Sequence, residues 1–130
     1  MAQEPITEPA RQAEEKLLKK IDAKVAQLKK IHKTVHVLRI TEIPAVEVTD
    51  SDPYVPGVVK VAYLKPVTRT ALSMATAVAG SDSYKFNEIV MRECWLEGDM
   101  EIQTDDALFL NAMRFIDSLI EFKQGEIKKY

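Results

Sequence analysis

YLKPVTRTALSMATAVAGSDSYKFNEIVMRECWLEGDMEIQTDDALFL, residues 63–110, reads as three helix-sized segments punctuated by Pro66, Gly80 and Gly98. Thr68 is placed to cap a helix that runs to about Ala79, where Gly80 supplies a left-handed stop. Ser81 or Asp82 starts the next helix, which buries Phe86, Ile89, Val90, Cys94 and Trp95 before Gly98 ends it. Thr104 caps a last helix with Asp105 and Asp106 at its positive end and Leu108, Ala112, Phe115, Ile116, Leu119 and Ile120 on its inner face. Lys128 and Lys129 fall near its other end, where cations are stabilising.

Upstream of this stretch the hydrophobic period changes. KTVHVLRITEIPAVEV is dense in β-branched residues and alternates at Val35 and Val37 and again at Val46 and Val48, as strands do. TDSDPYVPG, through Asp50, Asp52, Pro53, Pro56 and Gly57, is a turn, and VVKVAYLK is a second strand, which gives a β-hairpin with Pro44 at a break or an edge. Two strands alone are marginal, so the hairpin must lie against helices or pair with another chain.

From about Pro9 to Ile31 the chain is rich in Ala, Lys, Glu, Leu and Gln, all good helix formers. Leu18, Ile21, Val25, Leu28, His32 and Val35 recur at spacings of three and four and mark one narrow apolar seam. The first four are the candidate partner-binding residues, for self-association or for a client. The same seam also serves packing on the chain's own domain, the commoner outcome. The expected organisation is α+β: a flexible N-terminal arm at residues 1–8 and a single domain at residues 9–130. That domain divides into an amphipathic helix (9–31), a β-hairpin (34–65) and a three-helix region (68–130). About four helices are expected in all, with the hairpin between the first and the second.

The chain has 130 residues, 46% hydrophobic and 29% charged, enough to bury a core without staples. Its net charge of -2 is uneven: residues 1–40 carry nine Lys/Arg against five Asp/Glu, and residues 41–130 carry nine against fifteen. The basic third interleaves its cations with Glu14, Glu15 and Asp22 and has no aromatic side chain to stack on bases, so nucleic acid is not an expected partner. With one cysteine, no apolar run of membrane-spanning length and a polar, acidic start, the expected compartment is a reducing cytoplasm and no membrane is involved.

No catalytic, cofactor or metal set emerges. His32 and His36 share a metal pair's spacing, but the helix-to-strand switch falls between them and no third ligand is identifiable. Glu97, Asp99, Glu101, Asp105 and Asp106 lack the register of a calcium loop and read as a solvated loop with helix-start charges. Cys94 lies inside an apolar period with Glu93 and Glu97 near, conditions that raise a thiol's pKa and suit a core residue. Ser73, Ser81 and Ser83 have no histidine nearby, and no phosphate loop, GxGxxG or HExxH is present. The expectation is a protein that is not an enzyme and needs no cofactor.

The order YLKPVTR (63–69), a small-residue helix, KFNEIVMRECWLEGD (85–99) and TDDALFLNAM (104–113) resembles the tail assembly chaperone-like small proteins of bacteriophages and prophages, over about residues 60–110. The resemblance implies a non-enzymatic factor that binds the tape measure protein, or another tail component, in the bacterial host cytoplasm, often with self-association into an oligomer. The alternative is a structural virion or capsid-associated subunit that oligomerises through the same surfaces. A tape measure is a long helical protein with apolar stripes, so its chaperone must offer an apolar groove or helix face. Met74, Met91, Met100 and Met113 are candidates for adaptable contacts there, although methionines more often fill core gaps.

Overall fold

The computed structural model describes residues 8–46, 57–120 and 124–130. The chain is α+β, with a three-stranded antiparallel sheet as its middle layer. The long helix α1 (Glu8–Leu28) comes first, followed by the hairpin strands β1 (His36–Ile43) and β2 (Val58–Leu64). Then come α2 (Arg69–Ala79), α3 (Ser83–Cys94), β3 (Trp95–Gly98), α4 (Glu101–Thr104), α5 (Asp106–Met113) and a closing 3-10 helix (Ile116–Leu119). Of the expected N-terminal arm only Glu8 is described, as the first residue of α1, and most of the expected turn at residues 49–57 also lies outside the described residues.

The sheet order is β1-β2-β3, and strand alternation sorts its side chains into two cores. Leu38, Ile40, Ala62 and Leu64 face the helices α2 to α5 and meet Ala75, Ile89, Val90, Met91, Cys94, Ile102, Leu108 and Ala112. Val61 and Tyr63 face the opposite way and are covered by α1 through Ile21, Leu17, Val25 and Leu28. One helix above, a sheet between and a helical layer below is how a small sheet with two apolar faces keeps both out of water.

Local chemistry explains the element ends. Thr68 caps α2 by accepting from Ala71 N–H at 3.1 Å, and Gly80 ends it at φ 58°, a conformation that costs a residue with a Cβ. Asp82 caps α3 through Tyr84 and Lys85 N–H. Both ends fall where the sequence placed them.

Three expectations need correction. The helix expected to run to Gly98 ends at Cys94, and Trp95–Gly98 is a third strand: Leu64 pairs with Trp95, Tyr63 with Glu97 and Ala62 with Gly98. Leu96 is the extra residue of a β-bulge, so Leu96 and Glu97 both face α1 while Trp95 packs into the opposite core. The cap expected at Thr104 is Asp105, which accepts from Leu108 N–H at 3.0 Å. The last helix is not continuous either: α5 stops at Met113, and the chain turns into the 3-10 helix, whose Leu119 carbonyl accepts from Val67 N–H at 3.0 Å. That turn keeps Ile116 and Leu119 buried and leaves Phe115 exposed, and residues 124–130 are not helical, so Lys128 and Lys129 do not sit at a helix end.

Gly98 is fixed by space as well as by dihedral. At φ 145° it lies so close to β2 that a Cβ there would meet Val61 O at 2.5 Å and Ala62 Cα at 2.7 Å. Asp99 follows and locks the register, donating its N–H to Val61 O and accepting Val61 N–H on Oδ2.

Candidate protein-binding site

The surface that stands out chemically lies where α3 meets α4 and α5. Tyr84 and Glu88 are one helical turn apart on α3, and Asp106, Phe109 and Leu110 share one side of α5. With Gln103 of α4 they line an open groove of about 380 Å³. Tyr84 is 60% exposed and Leu110 50%, large apolar surfaces for a molecule whose inner positions are nearly closed. Phe109 forms the half-buried floor and also packs against the main core, which ties the groove to it. Both charged residues lining it, Glu88 and Asp106, are acidic, and neither has an ion-pair partner among the described residues. An apolar floor between two carboxylates can hold an apolar side chain flanked by cations.

The residues singled out from the sequence fall elsewhere. Ile21 is buried at 7%, and Val25 and Leu28 pack beside it on Val61 and Tyr63, so these three serve the chain's own sheet. Leu18 is 42% exposed on the outer side of α1, and its neighbour Leu17 takes the inward position. Two ion pairs hold α1 at opposite edges of the sheet: Glu14 with Arg39 of β1 at 3.1 Å and Lys24 with Glu97 of β3 at 3.0 Å. Burial of Tyr63 under α1 raises its pKa; Lys24 opposes the rise, and Glu97 and Asp99 add to it.

The other candidates separate in the same way. His32 lies past the end of α1 and His36 opens β1, so the switch of structure does fall between them, and no metal-holding group of His, Cys, Asp and Glu occurs among the described residues. The acidic run is divided among distinct tasks: Glu97 pairs with Lys24, Asp99 with the Val61 backbone, Glu101 lies 3.8 Å from Lys60, and Asp105 caps α5. Cys94 is 1% exposed, and burial pushes its thiol up to about 11 against an opposing pull from Lys65, with Glu93 adding a smaller push. Met91 is buried in the main core, whereas Met74 and Met100 are exposed.

Sequence reasoning missed Tyr84, Glu88, Asp106, Phe109 and Leu110 as a set. The signal was present in part: Tyr84 and Leu110 are large apolar residues outside the stripes that bury Ile89 and Val90 on α3 and Leu108 and Ala112 on α5. No helix of the described residues is long and apolar enough to cross a membrane. Comparisons with protein-family models, curated proteins and solved structures returned no match.

Proposed function

We propose that this chain is a non-enzymatic protein-binding factor of phage tail morphogenesis, acting in the bacterial host cytoplasm on the tape measure protein or another tail component. The observation that carries the protein-binding half of this reading is the groove of Tyr84, Phe109 and Leu110 between Glu88 and Asp106. Its shape and chemistry suit the apolar face of a helix with basic flanks, and amphipathic helices are held in such grooves by residues spaced three and four apart. The phage half rests on the resemblance of YLKPVTR, KFNEIVMRECWLEGD and TDDALFLNAM to the tail assembly chaperone-like group.

The test is co-expression with the tape measure protein encoded in the same genome. The parent chain should co-purify with it. Tyr84→Asp with Leu110→Asp should lose the client while keeping the circular dichroism of the parent, since both side chains are exposed. Retained capture by that variant would remove the groove from the proposal. Mass spectrometry of purified particles decides against the structural alternative if the chain is absent from them, and for it if the chain is present in stoichiometric amount.

A further inference from the structure

We propose that the outer edge of β1 takes up an extended, carboxylate-bearing segment of another protein as a fourth strand of the sheet. This surface shares no lining residue with the groove of Tyr84 and Leu110, and the inference does not depend on that reading.

The open edge follows from the register. Val61 donates its N–H to Asp99 Oδ2 and accepts Asp99 N–H on its carbonyl, so both of its backbone groups point to the β3 side of β2. Its partner across the β1–β2 ladder is Arg39. That pair therefore exchanges no hydrogen bonds, and Arg39 turns its own N–H and C=O away from β2. Val37, two residues earlier on the same strand, does likewise. β1 ends the order β1-β2-β3, and no donor or acceptor among the described residues meets these outward groups. They stand at the spacing that a second extended backbone matches, which is why exposed strand edges recruit strands.

Beside the edge lies a cleft of about 300 Å³, lined by residues 36–39 of β1 and, across from them, by Ala112, Phe115 and Leu119. Consecutive strand residues point to opposite faces, so a cleft touching all four runs along the edge itself. Phe115 is 44% exposed and supplies an apolar wall. An added strand can lay alternate apolar side chains against that wall and turn the others to the face of Arg39.

Charge selects the segment. Among the described residues no carboxylate lines the cleft, whereas Arg39 does, and Arg114 holds its guanidinium 5.8 Å from the centre of the Phe115 ring. Arg39 is paired with Glu14 at 3.1 Å, but its side chain is 37% exposed and a guanidinium has donors for a second carboxylate. Arg114 has no ion pair among the described residues.

The probe is a capped heptapeptide that alternates valine with glutamate, titrated into the isotope-labelled full chain while the backbone amide resonances of Val37 and Arg39 are followed. Both should shift and saturate at millimolar peptide or below, and their exchange with solvent should slow. The same peptide with lysine for glutamate should bind roughly three- to tenfold more weakly at low salt. Alternate N–H groups of an added strand face its neighbour, so a probe N-methylated at every glutamate and one N-methylated at every valine must differ. One should lose roughly tenfold or more in affinity and the other should keep it. Val37→Pro deletes an outward donor without touching the ladder to β2, a change that edge strands tolerate, and Phe115→Asp removes the apolar wall at an exposed position. Each should weaken the probe at least about threefold while keeping the parent's circular dichroism. Unmoved Val37 and Arg39 resonances at millimolar probe overturn the proposal, as do equal affinities of the two methylated peptides, undiminished binding by Phe115→Asp, or a β1 edge occupied by a second copy in the absence of probe. Tyr84→Asp with Leu110→Asp should bind the probe as the parent does, so failure here and failure of the proposed function are separate results.

Discussion

Asp99 and Val61 exchange two hydrogen bonds, Asp99 N–H to Val61 O at 2.9 Å and Val61 N–H to Asp99 Oδ2 at 2.8 Å. A single side chain thus continues the β2–β3 ladder one step past the last strand residue. Asp99→Ala should leave the part-buried Val61 N–H without its acceptor and cost about 1–3 kcal/mol. Asp99→Asn, which keeps an acceptor oxygen, should cost about half as much or less. Urea melts followed by circular dichroism measure both; equal midpoints for Asp99→Ala and the parent would dismiss this bond as a support.

The two glycines with positive φ should respond differently to alanine. At Gly80 a Cβ meets nothing within 4 Å, so Gly80→Ala pays only for its backbone conformation, φ 58° with ψ -119°, about 1–3 kcal/mol. At Gly98 a Cβ collides with the β2 backbone, so Gly98→Ala should cost more than Gly80→Ala and disturb β3. Thermal melts rank the two, and amide exchange at Val61 and Ala62 reports the loosened strand.

The two neighbouring positions Leu18 and Ile21 make a second contrast. Leu18→Asp should stay within about 0.5 kcal/mol of the parent, as exposed substitutions usually do. Ile21→Asp places a carboxylate between α1 and the side chains of Val61 and Tyr63 and should cost more than about 3 kcal/mol, releasing α1 from the sheet. Denaturant titration gives the ranking, and the reverse order would mean that α1 packs by its other face.

Cys94 gives a pH prediction. Its folded thiol titrates at about 11 against 9.0 for the ordinary group. Below about pH 9 both folded and unfolded chains hold the proton and the contribution is constant. Between about 9 and 11 the unfolded chain loses the proton first, so stability falls as pH rises through that window. Cys94→Ala should be less stable at neutral pH through the cavity it opens, yet should lose less than the parent between pH 9 and 11. Alkylation at pH 8 should be slow for the native chain and fast in denaturant.

How far the sequence reached depends on how local each determinant is. Thr68, Gly80 and Asp82 were legible because a cap needs only its own side chain or dihedral and the next three residues. The hairpin was legible from β-branched alternation and its turn residues. β3 was not, because the apolar period of α3 runs on through Trp95, and what makes Trp95–Gly98 a strand is the open edge of β2, distant in sequence. The face of α1 turned on one residue: the alternating spacing selected Leu18, three before Ile21, whereas Leu17, four before it, is the one that packs on the sheet with Ile21, Val25 and Leu28. The groove was hidden for a related reason, since Tyr84 of α3 and Leu110 of α5, distant in sequence, line one groove only once the chain is folded.

Because α1 lies across the sheet from the helices that form the groove, the two faces of the molecule can be addressed separately in an assay. A tether fused ahead of Glu8 would anchor the molecule by the side remote from Tyr84 and Leu110. Immobilised that way on a sensor, the protein would present the groove of Tyr84, Phe109 and Leu110 outward.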